Sequence, residues 1–421
     1  MRILDSFGIG GKIQSLVSGA ESRLGEIFRC IEATAEYNQY KVIGAFSEEN
    51  ISPRHFAPTN GYGYSDEGRE ALARVFARIT GSQDSIISPH IASGTHAISL
   101  ALFSVLRPGE TLISVTGKPY DTLGSVIGSS AKDTGSLFDF GVEYRQVDLL
   151  TDGAIDIESV VNTLKSCAKP KVLFMQRSRG YAWRKALRVK DIKEFASYIK
   201  RIFPEIIIFT DNCYGEFCET QEPTECGADL IAGSMIKNPG GGLAPTGGYV
   251  AGRSELIEFA ANRLTCPGLG AEVGSYEASY RPFFQGLFMA PHTVAEALKG
   301  SVLYAKVFEE LGYKVFPAHD AKRSDITQSI MLEDENLLLA YTKGIQKAAA
   351  VDSNATPVPW DMPGYEDKIV MAAGTFVQGA SIELSADAPV RAPYIVYAQG
   401  GLTYAHMKLG LMSALAEMRI I

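Results

Sequence analysis

Apolar and polar positions alternate with three different rhythms along the chain, and each rhythm predicts a different kind of element. Over residues 11–45, Ile13, Leu16, Val17, Leu24, Ile27, Phe28 and Ile31 recur at helical spacing, which predicts one or two amphipathic helices. A second stretch with this period covers 69–79. From Ile86 the text changes to short runs that are apolar throughout, at 86–88, 111–115, 171–176 and 206–210. Helical stretches at 93–106 and 191–202 lie between them. Wholly apolar strands alternating with helices predict a mostly parallel sheet covered on both faces. A further short strand is predicted at 247–252, where antiparallel pairing is open. After a long helix at 293–311 come strands at 313–316, 326–332, 369–375, 381–384 and 394–397. Helices at 335–351 and 402–419 would cover them, and the proline-rich 352–364 reads as a connecting loop. The organisation expected is a helical segment over 1–50, a large domain over 51–292 and a small C-terminal α/β domain over 293–421.

Composition narrows the function classes. The 421 residues suffice for two or three domains; 46% are hydrophobic and 21% charged, as in soluble globular proteins. A net charge of −8 leaves no basic surplus to pair phosphates, which argues against a nucleic-acid partner. No basic segment leads into an apolar one at the start, and no apolar run reaches membrane-spanning length. No membrane association and a cytoplasmic location are therefore expected. Of the six cysteines, Cys213, Cys218 and Cys226 lie close together. They form no paired C-x2-C spacing and have no histidine among them, so structural thiols and no metal site are expected.

Candidate chemistry centres on Leu230-Ile-Ala-Gly-Ser-Met-Ile-Lys237, where an apolar run delivers one lysine and stops in a Pro-Gly tract. With no acidic neighbour in sequence, Lys237 reads either as a surface cap or as a desolvated amine of lowered pKa that attacks a carbonyl. Three other features precede it in a definite order. Ser93-Gly-Thr-His96 opens a buried helix, and backbone N–H groups at such a start suit a phosphate, though Ser93 or Thr95 could equally be a plain N-cap. Tyr120 stands on the exit of a strand. Asp211 ends a buried strand, about 26 residues before Lys237. An anion cradle, a ring for stacking, a carboxylate for a pyridinium nitrogen and an imine-forming amine are the parts that pyridoxal 5'-phosphate requires. Alone none of them is specific; the ordered set is.

The chain resembles fold-type-I pyridoxal-phosphate enzymes, and within them the cystathionine β-lyase-like, methionine γ-lyase family that includes the aluminium-resistance proteins. The segments that carry this begin with Gly61-Tyr-Gly-Tyr-Ser-Asp-Glu-Gly68, Ser93-Gly-Thr-His96 and Thr116-Gly-Lys-Pro-Tyr-Asp-Thr-Leu123. They continue with Gln176-Arg-Ser-Arg-Gly-Tyr181, Asp211-Asn-Cys-Tyr-Gly-Glu216, Gly233-Ser-Met-Ile-Lys237 and Gly379-Ala-Ser-Ile-Glu-Leu-Ser385. The resemblance covers nearly the whole chain.

The resemblance implies that Lys237 forms the internal aldimine and later moves the substrate's α-proton. Gly94 and Thr95 would hold the phosphate through backbone N–H groups together with Ser234, Asp211 would pair the pyridine nitrogen, and Tyr120 would stack on the ring. Tyr62 would reach the phosphate of a neighbouring subunit, giving a homodimer or homotetramer with shared active sites, and Arg391 would clamp the carboxylate of an amino-acid substrate. Three departures from the characterised lyases stand out: Tyr62-Gly63-Tyr64 where they have Tyr-x-Arg, His96 after the Gly-Thr pair, and Asn238-Pro239-Gly240 after the lysine. Arg177, Arg179 and His55 are candidates to compensate. The activity expected is a carbon–sulfur lyase acting on a cystathionine- or methionine-type amino acid by β- or γ-elimination. A different transformation on the same cofactor, such as transamination, or a non-catalytic role in stress or metal resistance, stays open.

Overall fold

The computed structural model describes residues 3–130, 133–362 and 365–421. The N-terminal pattern resolves into two helices, α1 (Gly11–Glu21) and α2 (Gly25–Glu48). Helix α3 (Glu67–Thr80) begins where the Asp66 carboxylate accepts from Arg69 N, and it ends at Gly81 in the left-handed region. There follow β1 (Asp84–Ser88), α4 (Gly94–Val105), β2 (Thr111–Ser114), α5 (Asp121–Ile127), β3 (Glu143–Gln146), α6 (Ile157–Ser166) and β4 (Pro170–Gln176). The first sheet is completed by α7 (Val189–Ile202), β5 (Ile207–Asp211), β6 (Leu230–Ser234), β7 (Gly248–Gly252) and α8 (Ser254–Leu264).

These seven strands lie in the order β1-β7-β6-β5-β4-β2-β3. Strand β7 runs antiparallel to both neighbours and the other pairings are parallel, in keeping with the sequence pattern. Side chains alternate between two cores: Val172 and Phe174 of β4 pack with α4, α5 and α8, while Leu173 and Met175 pack with α3, α6 and α7. All four are fully buried. At roughly 2 kcal/mol for each side chain, the centre of the sheet is a rigid platform for whatever projects from its strand ends. Strand β3 escapes prediction because Glu-Tyr-Arg-Gln is an edge strand with little burial and no apolar run.

Helix α9 (Arg281–Glu310) starts well before the predicted residue 293. Its first half is punctuated by Pro282, Gly286 and Pro291, which reads as loop. Pro282 sits in the first turn, where its missing N–H has no helical partner to lose. This helix joins two cores. Phe283, Phe284, Leu287 and Val294 belong to the first sheet's core, whereas Val302, Leu303, Val307 and Phe308 belong to a second, shared with Ile13 and Val17 of α1.

The second core covers a five-stranded antiparallel sheet of order β10-β11-β12-β9-β8. Its strands are β8 (Lys314–Phe316), β9 (Gln328–Met331), β10 (Ile369–Ala372), β11 (Ser385–Pro389) and β12 (Ile395–Gln399). Helices α10 (Glu335–Lys347) and α11 (Tyr404–Met418) pack on it. The strand predicted at 381–384 is a turn instead. The Glu383 carboxylate accepts from Phe376 N and Val377 N, both at 2.9 Å, and strand pairing begins only at Ser385. Of the loop predicted at 352–364, residues 363 and 364 lie outside the described residues. Among the described residues no helix is long and apolar enough to cross a membrane.

Candidate active site

A cavity of about 490 Å³ lies beyond the carboxyl ends of β4, β5 and β6. Ligands collect at this end of an open α/β sheet because the loops there are free to diverge. One wall comes from the first sheet and carries Gly94, Thr95, Tyr120, Gln176, Asp211, Ser234 and Lys237; the facing wall comes from the second sheet and its approaches. Six of the expected cofactor residues are thus brought together, each delivered by the end of a buried element. Asp211 closes β5 in register with Gln176 on β4 and Ala232 on β6. Ser234 closes β6, and Gly94 opens α4.

Asp211 is buried, and its Oδ1 accepts from Cys213 N at 3.1 Å. Burial raises its pKa, opposed by the nearby Lys237. The Tyr120 N–H donates to Gln176 Oε1 at 2.9 Å, which fixes the turn. Its hydroxyl donates to Thr95 Oγ1 at 3.0 Å. Burial, reinforced by Asp211, pushes the Tyr120 phenol up, so it stays protonated at neutral pH. At the start of α4, Ser93 Oγ accepts from His96 N at 3.1 Å, and His96 Nδ1 accepts from Ala92 N at 3.0 Å. His96 therefore braces the approach to the helix.

Lys237 corrects the expectation of a lowered pKa. Burial does work against its charge, but Cys213, Tyr214, Asp211 and Tyr120 more than offset this, and the pKa lies well above the ordinary lysine value. No acidic residue is near it in sequence; in space Asp211 is. The residues after it answer to sterics. Asn238–Gly240 form a short 3-10 turn. A Cβ on Gly240 would lie 1.9 Å from Met235 O, and one on Gly241 (φ +54) would lie 2.4 Å from Gly286 O in α9.

Two expected residues are not brought to this cavity. Tyr62 is 70% exposed and lies beside Tyr64, their ring centroids 5.5 Å apart. Arg391 lines an adjoining cleft of about 880 Å³, where its Nη1 holds Asp367 Oδ2 at 2.7 Å. Arg391 is thus absent from the lining of the cavity that holds Lys237, and its guanidinium is engaged by Asp367 instead. The other basic candidates are structural. Arg177 is fully buried against Asn212, Glu219 and Glu222, Arg179 ties the exit of β4 to Asp325 and Phe316 O, and His55 Nδ1 accepts from Ser52 N.

Sequence reasoning misses four groups on the cavity: Tyr214, Tyr181, Asp387 and Gln399. Tyr214 and Tyr181 sit inside strings that carry the family resemblance, each a few residues past a strand end, and that position is the available signal. Asp387 lies in Ser-Ala-Asp-Ala-Pro, which has no strand signature.

The residues present suit pyridoxal phosphate. The first turn of α4 contains no acidic side chain, and a Cβ on Gly94 would lie 3.2 Å from Cys213 Sγ and 3.4 Å from Ser234 Cβ. The helix start can approach Ser234 this closely because residue 94 is glycine, and its N–H groups and the Ser234 hydroxyl can serve one anion. Among the described residues no group of three or more His, Cys, Asp or Glu is placed to hold a metal ion.

The chain is similar to known proteins over nearly its whole length. A carbon-sulfur lyase involved in aluminum resistance from Clostridium novyi superposes with a TM-score of 0.96 at 48% identity, covering 100% of this chain and 98% of that one. The uncharacterized protein YnbB of Bacillus subtilis is 46% identical over 413 residues, 98% of each chain. The pyridoxal-5'-phosphate dependent protein YhfS of Escherichia coli, at 15% identity and a TM-score of 0.61 over 91% of this chain and 95% of its own, shares the fold. The methionine gamma-lyase family model matches residues 13–419, so this chain, from its first helix to its last, belongs to the methionine gamma-lyase family of fold-type-I enzymes.

Proposed function

We propose that the protein is a pyridoxal-phosphate-dependent carbon–sulfur lyase that releases a thiol from a sulfur-containing amino acid, leaving an oxo acid and ammonia. The observation that carries the reading is the convergence of Lys237, Asp211, Tyr120 and the start of α4 on one cavity. Bound pyridoxal phosphate would supply an electron sink for the charge that develops at the substrate's α-carbon. Lys237 Nζ is the group to hold the cofactor and then to move the α-proton, since it is the amine that the two strand ends and the loop after β6 deliver. Asp211 would keep the ring nitrogen protonated, and its burial makes that interaction strong. Tyr120, pinned through Gln176 and Thr95, would hold the ring plane. Orientation fixes which bond breaks, so a rigid ring seat selects the reaction. The exposed Tyr62–Tyr64 loop supports a shared site in a homodimer or homotetramer.

The test uses the purified protein with pyridoxal phosphate. Borohydride should fix the cofactor on Lys237, and cystathionine or methionine should yield thiol and oxo acid. Cofactor binding with amino transfer to an added keto acid, and no thiol, would replace the lyase reading by transamination.

A further inference from the structure

Releasing a thiol takes two proton transfers: one off carbon, for which Lys237 is placed, and one onto the departing sulfur. Lys237 is ill suited to the second. A thiol holds its proton only up to about pH 8.5, whereas the Lys237 pKa lies well above the ordinary lysine value. Transfer from its ammonium group to a thiolate would run uphill. The Tyr120 hydroxyl is committed to Thr95 Oγ1 at 3.0 Å, and burial pushes its phenol up as well. Tyr214 is hydrogen-bonded to Ser381, and burial raises it too.

The second sheet's wall offers a carboxyl group instead. Asp387 is buried in the middle of β11, paired with Met371 on β10 and Tyr397 on β12. Its Oδ2 accepts from Gln399 Nε2 at 3.0 Å, and the carboxylate also accepts from the Tyr181 hydroxyl. Tyr181 is itself seated firmly. Its carbonyl accepts from the Tyr397 hydroxyl at 2.6 Å, and its ring packs 5.1 Å from Tyr397 and 5.8 Å from Tyr365. Tyr181 and Tyr365 share a hydrogen bond, and both line the Lys237 cavity and the adjoining cleft. Asp387, Tyr181 and Tyr365 thus form a hydrogen-bonded row that starts in the cavity and reaches the cleft, from which water can restore a proton.

We propose that the Asp387–Tyr181 pair delivers the proton that the departing sulfur takes up. The inference rests on the lyase reading of the site. As the carbon–sulfur bond breaks, its electron pair leaves with sulfur. The pair freed by deprotonating the neighbouring carbon closes the new carbon–carbon double bond. The Tyr181 hydroxyl gives its proton to sulfur and takes the Asp387 proton in its place; the carboxylate then regains one from water by way of Tyr365 and Tyr181. Burial raises the Asp387 pKa to about 6, with Tyr181, Gln399 and Lys237 opposing. Transfer from such a carboxyl group to a thiolate runs downhill, and a pKa near neutral pH suits a general acid.

Two leaving groups test this. The holoenzyme is offered S-ethyl-L-cysteine, whose alkyl thiolate needs a proton to leave well, and S-(4-nitrophenyl)-L-cysteine, whose aryl thiolate is stable without one. Thiol and oxo acid are measured with each. Asp387→Asn should slow the S-ethyl substrate about 100 times more than the nitrophenyl one. Tyr181→Phe keeps the ring and should move the ratio the same way, which decides the matter if Asp387→Asn does not fold. In the unaltered protein the S-ethyl to nitrophenyl rate ratio should fall as pH rises above about 6. Deuterium exchange at the α-carbon of L-alanine, which has nothing to eliminate, should follow the nitrophenyl rate in both variants. Equal losses on the two substrates, or a ratio that neither substitution moves, would overturn the proposal. Exchange on alanine without thiol from either substrate sinks the lyase reading, and the proposal with it; thiol release with an unmoved ratio sinks the proposal alone.

Discussion

Lys237 Nζ lies 4.1 Å from the centroid of the Tyr214 ring. Tyr214 adopts φ 70, in the left-handed region, three residues after the strand-ending Asp211. A non-glycine residue rarely takes this conformation, and it turns the ring back beneath the lysine that β6 delivers. A desolvated cation–π contact is worth about 2 kcal/mol. Tyr214→Phe keeps the ring and should retain Lys237 reactivity within a few-fold. Tyr214→Ala removes a contact that favours the ammonium form, and should speed the rate at which added pyridoxal phosphate becomes fixed by borohydride by up to about 30-fold, the kinetic equivalent of that energy. Equal rates for the two variants would show that the ring does not support the lysine.

Behind Asp211, Arg177 holds the loop that follows β5. Its guanidinium reaches Asn212 Oδ1 at 2.7 Å, Glu219 at 2.9 Å and Glu222 at 3.4 Å, all with the arginine fully buried. Arg177→Met leaves Glu222, itself buried, without its counter-charge. Removing one partner of a buried pair costs about 3–5 kcal/mol. Urea unfolding should register that loss, and cofactor affinity should fall with it because the loop carries Cys213 and Tyr214. A variant as stable as the parent would refute the structural role.

How much of this could be read from the chain depends on where each residue gets its environment. Asp211 and Ser234 end runs such as Ile-Ile-Phe-Thr, whose burial is written in their own side chains, and the loop lysine Lys237 follows within three residues of Ser234. Parallel strands announce themselves by being apolar on both faces. Strand β11 does not, because Ser-Ala-Asp-Ala-Pro takes its burial from α10 and its strand neighbours rather than from its own hydrophobicity. Asp387, which this strand brings to the cavity, is hidden with it. Local sequence also misjudges Lys237, since the groups that raise its pKa arrive from β5 and from the turn bearing Tyr120. Arg391 looks like a clamp beside a strand, but Asp367, 24 positions away, claims its guanidinium.

That last contact gives a prediction against the clamp role. The Arg391–Asp367 pair is half-exposed, 53% on the arginine side. Pairs of this kind contribute about 0–1 kcal/mol. Arg391→Ala should therefore leave stability within that range and amino-acid affinity within about twofold. A tenfold or larger loss of affinity at unchanged cofactor content would restore Arg391 to the substrate.

Glu216 sets a pH dependence of stability. It is buried beneath the Lys237 segment, its Oε1 accepts from the Tyr249 hydroxyl at 2.6 Å, and its Oε2 has no partner. Burial raises its pKa from 4.5 to about 8, opposed by the Tyr249 hydrogen bond and reinforced by Glu222. The folded protein thus keeps this proton up to about pH 8, while the unfolded chain releases it near 4.5. Between those values the folded state binds more protons, so the contribution is fully present below the unfolded pKa and is lost as pH rises towards 8. The slope is at most about 1.4 kcal/mol per pH unit. Glu216→Gln cannot titrate and keeps an acceptor for Tyr249. Its stability in urea unfolding should fall less steeply than that of the parent between about pH 5 and about pH 8. Parallel stability curves for the two proteins would mean that Glu216 is already ionised in the folded state, and that its free oxygen has found a cation in the site above it.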